Sequence, residues 1–152
     1  GLEAMLRLFT EEERNDRAFL ALTRFLDALD EHQPERGARP ALDPLVLSFQ
    51  LKLLWLSGYL PHLAGCAACG DEKALVGFSA QAGGGVCSDC SAGAVGVSAE
   101  GFETVRGFLE RPLAEAGAHV PSVRGLRECL TMLEASYEFH GGFRMRTLAQ
   151  RA

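Results

Sequence analysis

The sequence predicts a mainly α protein: a helical bundle interrupted by one inserted four-cysteine lobe. Three observations predict it. Apolar residues recur at the i, i+3, i+4 spacing of helices on both sides of the chain's middle. One segment, residues 45–56, is apolar nearly all round and so belongs inside a bundle. Between the helical stretches lie two Cys-x-x-Cys pairs, Cys66/Cys69 and Cys87/Cys90, separated by 17 residues.

The elements can be justified in order. Leu2, Met5, Leu6 and Phe9 form an apolar helical stripe with no cap before it, which reads as a chain opening inside a helix of a longer protein. Asn15 or Asp16 caps a second helix, with Ala18, Phe19, Leu22, Phe25, Leu26 and Leu29 on its apolar face. A polar loop with Pro and Gly follows over about 31–42. Asp43-Pro44 then places an N-cap before a proline whose missing N–H costs nothing at the first helical position. The apolar helix it starts holds Leu51, Leu54 and Trp55, all read as core, and Gly58 ends it. Beyond the cysteines, Ser98 caps a helix through Phe102, Val105, Phe108 and Leu109, stopped at Arg111-Pro112. The stretch to His119-Val120-Pro121 reads as irregular or one short helix. Ser122 opens a last long helix with Val123, Leu126, Leu130, Leu133 and Tyr137 on one face. Cys129 lies among those leucines as a small core residue.

The cysteine pairs carry the chemistry. Each Cys-x-x-Cys puts two sulfurs on one tight turn, and two such turns at this separation close a tetrahedral four-thiolate site of the zinc-ribbon type. Gly70 lets the chain curl around an ion at positive φ, and Gly83, Gly84 and Gly85 supply the return turn of a short hairpin. Residues 74–79 are the one plausible strand. Two disulfides, or a dithiol redox switch, are the competing readings of the same four residues. Structural Zn²⁺ on Cys66, Cys69, Cys87 and Cys90 is the reading the spacing favours, and a closed four-thiolate site leaves no open position for catalysis. His62, four residues before Cys66, is a weak substitute ligand with four cysteines present.

Composition narrows the class. With 152 residues, 47% of them hydrophobic, the chain can bury a core without help from the metal. The longest apolar run is broken by Ser48, Gln50 and Lys52 and is too short to span a bilayer, and no leader-like segment opens the chain. Cysteines paired for metal suggest a reducing cytoplasm. His32, His62, His119 and His140 are scattered, with no phosphate-binding glycine loop and no nucleophile–base pair, so the chain reads as a non-enzyme.

The ordered motifs Leu53-Leu54-x-Leu56-x-Gly58-Tyr59-Leu60-Pro61-x-Leu63, Cys66-x-x-Cys69-Gly70, Phe78-Ser79, Gly84-Gly85, Cys87-x-x-Cys90 and Tyr137-Glu138-Phe139-His140 resemble the bacterial RecO family of DNA repair proteins. The resemblance covers residues 17–148 and is densest between Leu53 and Cys90. It implies a helical domain, 1–65 and 91–152, with an inserted zinc-binding lobe, 66–90. The N-terminal OB-fold barrel of that family has no counterpart in this chain. It also implies a mediator of repair and homologous recombination that binds single- and double-stranded DNA and anneals strands. Its implied partners are RecR and the acidic-apolar tail of the single-stranded-DNA-binding protein, with RecA loaded as the outcome.

Charge pulls against a chain that grips phosphate everywhere. Net charge is −5, from 20 acidic and 15 basic residues. Asp71, Glu72 and Asp89 face only Lys73 in the cysteine lobe. Residues 122–152 carry five arginines against three glutamates, +2, and Arg124, Arg127, Arg144 and Arg146 are the candidate contacts for DNA or an acidic partner. Most DNA binding would then rest on the absent barrel. The alternative is a zinc-stabilised protein–protein interaction module that does not touch DNA.

Overall fold

The computed structural model describes residues 2–9, 15–32, 39–118, 121–142 and 144. Five α-helices and a small sheet follow in the order α1 (Leu2–Leu8), α2 (Asp16–Glu31), α3 (Pro44–Leu56), β1 (Leu75–Ser79), β2 (Gly84–Cys87), β3 (Val95–Gly96), α4 (Ala99–Glu110) and α5 (Val123–Gly141). Short 3₁₀ turns cover Pro40–Leu42, Ser88–Cys90 and Leu113–Ala118. The mainly α body with its cysteine lobe is therefore present.

Helix α3 is its axis. Asp43 accepts from the amides of Leu45 at 2.9 Å and Val46 at 3.3 Å, closing the N-terminus as an aspartate cap should. Helices α2, α4, α5 and the 113–118 turn all pack on it, burying Leu45, Leu47, Phe49, Leu51, Leu53 and Leu54. Phe25 of α2 stacks on Phe49 with ring centres 4.0 Å apart. The polar residues that interrupt the apolar run have structural partners. Tyr137 of α5 donates to the Gln50 side chain at 2.6 Å. Lys52 reaches the end of α4 and donates to the carbonyls of Phe108 at 3.1 Å, Leu109 at 3.4 Å and Arg111 at 2.8 Å. A cation there offsets the partial negative charge of the helix C-terminus.

Several side chains lie elsewhere than the sequence suggested. Trp55 is not core: it is 56% exposed, because the last turn of α3 points over a groove rather than into the bundle. On α2 only Ala18 and Phe25 are buried, while Phe19, Leu26 and Leu29 face outward. A single narrow stripe of this helix meets α3. On α1 Ala4 is the buried residue, and Leu2 and Leu6 are exposed. Val123 is likewise exposed, while Leu126, Cys129, Leu133 and Tyr137 are buried as that face of α5 required. The His119-Val120 part of the irregular stretch lies outside the described residues.

The lobe holds two strands rather than one, and β3 just beyond it completes a sheet in the order β2-β1-β3, antiparallel throughout. Gly84 and Gly85 do not form the hairpin turn: they are β2 itself, pairing with Ser79 and Phe78. The turn falls earlier, where Gly83 N–H returns to Ala80 C=O at 3.2 Å. Gly84 is required by close approach. The backbone of His62 bridges onto it from the other side, and a Cβ there would collide with the His62 carbonyl. The sheet thus draws in residues on both sides of the cysteines, His62 before them and Val95–Gly96 after them.

Candidate metal centre

The two Cys-x-x-Cys turns meet. The Sγ atoms of Cys66, Cys69, Cys87 and Cys90 all lie within 4.8 Å of one another, the one such group of cysteine, histidine or acidic ligands among the described residues. No disulfide links them. Cys69 and Cys87 are 3.9 Å apart, sulfur to sulfur. A tetrahedral ion with metal–sulfur bonds of about 2.3 Å sets neighbouring sulfurs about 3.8 Å apart. The donors are therefore close enough, and of the right number and type, to hold a metal ion.

Local backbone explains the arrangement. Around the first knuckle, Gly70 takes φ +79° and its N–H returns to the Cys66 carbonyl at 2.8 Å. Only glycine sits there without strain. The amide of Cys66 is held by the Asp71 carbonyl at 2.9 Å, and that of Ala67 by Gly85 at 2.8 Å, so this knuckle is sewn to β2. The second knuckle is the end of β2 and the 3₁₀ turn after it. Cys66 and Cys87 are buried beneath the site, while Cys69 is exposed and Cys90 half-buried. Lys73 spans the two knuckles from outside, 3.2 Å from Asp71 and 2.8 Å from Asp89. His62 stands apart from the cluster, its backbone engaged with β2.

The amide of Cys87 donates to the Cys66 sulfur at 3.4 Å, and this contact, more than any other, brings the Cys66 thiol down to about 6. Cys90 is pushed up to about 12, first by its contact with Cys69 and then by Cys87. Four packed sulfurs cannot all be anionic alone. A bound dication removes that conflict, which is the electrostatic case for metal over free thiols.

Of the arginines singled out from the sequence, Arg124, Arg127 and Arg144 lie within the described residues. Arg124 is exposed on α5 and donates to Glu128 at 3.0 Å. Arg127 is exposed one turn along. Arg144 pairs with Glu138 at 2.9 Å, and Arg146 lies outside the described residues. A more structured surface escaped sequence reasoning: a groove of about 1060 Å³ between α2, α3 and residues 112–118. Leu20, Trp55 and Leu113 give it apolar walls, with Arg17, Arg24 and Lys52 as its cations and Asp27 and Glu31 as its acids. Arg17, Leu20 and Arg24 share one helical face, so the signal was the 3–4 spacing on the side of α2 opposite its recognised stripe.

A helical body joined to a four-cysteine lobe defines the class: an α-domain with a small module able to hold a metal ion. The family described as recombination protein O C terminal matches residues 2–149, and the chain belongs to that family. It is 37% identical over 139 residues to the DNA repair protein RecO of Rubrobacter xylanophilus, covering 86% of this chain and 51% of that protein. With the DNA repair protein RecO of Roseiflexus it shares 36% identity over 120 residues, 76% of this chain and 40% of the relative. With that of Thermoanaerobacter it shares 37% over 90 residues, 58% and 33% respectively. The chain thus spans about a third to a half of the curated relatives it matches. No solved structure matches it significantly. Among the described residues no helix is long and apolar enough to cross a membrane.

Proposed function

We propose that this chain is the helical and metal-bearing portion of a non-catalytic mediator of DNA repair and homologous recombination. It would work in the cytoplasm with RecR and the single-stranded-DNA-binding protein to load RecA, in a protein that also anneals DNA strands. The observation that carries this reading is the match of the recombination protein O C-terminal family to residues 2–149. The four cysteines would hold Zn²⁺ as a structural ion, since sulfur donors of this number and spacing suit it and a closed set leaves no position for water. Cys66, Cys69, Cys87 and Cys90 would each contribute one thiolate, fixing the lobe of about 66–90 on the helical domain.

The acidic-apolar tail of the single-stranded-DNA-binding protein suits the α2–α3 groove better than Arg124. Arg17 and Arg24 can meet carboxylates while Leu20, Trp55 and Leu113 receive an apolar end. Arg124 already faces Glu128.

The test uses the longest natural polypeptide that carries this chain. RecA loading onto single strands coated by the single-stranded-DNA-binding protein should fall with Arg24→Glu, while annealing of bare strands persists. Full RecA loading by a protein lacking residues 2–149 would overturn the proposal. The second reading, a metal-stabilised interaction module without DNA contact, draws on Asp71, Glu72 and Asp89, which give the lobe surface an acidic face.

A further inference from the structure

At the end of the bundle beside the lobe, three aromatic rings gather on the surface. The turn closing α3 returns the Tyr59 amide to the Leu54 carbonyl at 2.8 Å and brings the Tyr59 ring onto α5. There it stacks on His140 with centroids 4.3 Å apart and planes 15° from parallel. Phe139 meets the same imidazole edge-on at 5.0 Å. Tyr59 is 40% exposed and Phe139 55%, so each offers ring surface to a ligand. A recess of about 120 Å³ opens beside them, walled by Leu60, Pro61, Phe78 and Ser136. Burial lowers the His140 pKa, so this ring is a neutral stacking surface at neutral pH.

Charge selects the occupant. Glu134 and Glu138 are the last acids of the chain. Residues 139–152 contain Arg144, Arg146 and Arg151 and no acid, +3 in an otherwise acidic protein. Arg144 meets Glu138 at 2.9 Å, but both side chains are exposed, and such a pair yields readily to a phosphate. Aromatic faces next to arginines are what a single-stranded nucleic acid uses: bases stack, and phosphates take the cations. We propose that Tyr59, His140 and Phe139 form a base-stacking platform for single-stranded nucleic acid, with Arg144 receiving its backbone. This deepens, and rests on, the DNA repair reading.

The experiment compares this chain and its Tyr59→Leu and Phe139→Ala variants by fluorescence anisotropy. The probes are a twenty-nucleotide oligothymidylate and an abasic strand with the same number of phosphates. The wild type should prefer the strand with bases by about 5-fold or more. Each variant should lose that preference and keep its affinity for the abasic strand. Photocross-linking of an iodouracil-containing strand should map to Tyr59 or Phe139. Equal binding of the two wild-type probes, no binding of either, or unchanged variants would overturn the platform. So would variants that weaken only an acidic-apolar tail peptide, which would make the surface a peptide site. In those cases RecA loading that still depends on residues 2–149 would leave the repair reading standing.

Discussion

The carboxylate of Glu128, on α5, accepts both the amide of Ser98 at 2.9 Å and its hydroxyl at 2.6 Å. Ser98 in turn caps α4 through the Gly101 amide at 3.3 Å. One acid therefore fastens the start of one helix to the flank of another, and Arg124 completes the group.

Glu128→Ala should cost about 1.5–3 kcal/mol, as loss of hydrogen bonds to a charged acceptor does. Burial opposes ionisation of Glu128, but Ser98 and Arg124 outweigh it and hold the pKa below the ordinary 4.5. A carboxyl depressed on folding stabilises the native state above its unfolded pKa and loses that contribution as pH falls through the folded one. The stability gap between wild type and Glu128→Gln, measured by urea melts, should be full at pH 7 and shrink below about 4.5. A gap that widens in acid would contradict the assignment.

Tyr137 and Gln50 form a second buried link, with the phenol 2.6 Å from the amide oxygen. Tyr137→Phe should destabilise by about 1–3 kcal/mol, since it leaves a buried acceptor short of a donor. Pairing it with Gln50→Leu should recover part of the loss, because both partners are then apolar. A double-mutant cycle with no coupling would reject the link.

Leu54 and Trp55 are neighbours with opposite environments, 1% and 56% exposed. Leu54→Ala should cost about 2–5 kcal/mol, whereas Trp55→Ala should change stability by less than about 1 kcal/mol. Trp55 is also the one tryptophan of the chain, so its emission should report an exposed ring and respond to a peptide entering the groove. A blue-shifted, quencher-shielded tryptophan in the free protein would contradict this geometry.

What the sequence disclosed depended on how local the signal was. The Asp43-Pro44 and Ser98 caps and the apolar α3 rest on residues a few positions apart, and the meeting of the four cysteines on two such local pairs at a recognisable separation, so their patterns are legible. The strands β2 and β3 were not. Gly84-Gly85 reads as a turn, and its strand character comes from the His62 backbone pressing on one side and β1 on the other. Trp55 failed for a related reason. Hydrophobicity all round α3 names a central helix but not where its covering ends. The groove depends on the separation of α2 from residues 112–118, which no one-dimensional pattern records.

The metal site gives the last prediction. Reduced protein should carry one Zn²⁺ per chain, and Cys69→Ser or Cys87→Ser should lose it. The two should differ in consequence. Cys69 is exposed, whereas Cys87 is buried in β2 and its amide supports Cys66. Cys69→Ser should therefore loosen the outer knuckle, and Cys87→Ser should disturb the sheet as well. Helix content by circular dichroism should survive both, because α3 packs mainly against α2, α4, α5 and the 113–118 turn, with Phe78 a lobe residue in the shared core. Chelation of the wild type should act likewise: hydrogen exchange should rise over residues 62–97 and change little in α3 and α5. Loss of the helical signal on chelation would mean that the body depends on the ion. A reduced protein that binds no metal would remove the structural role assigned to these four thiolates.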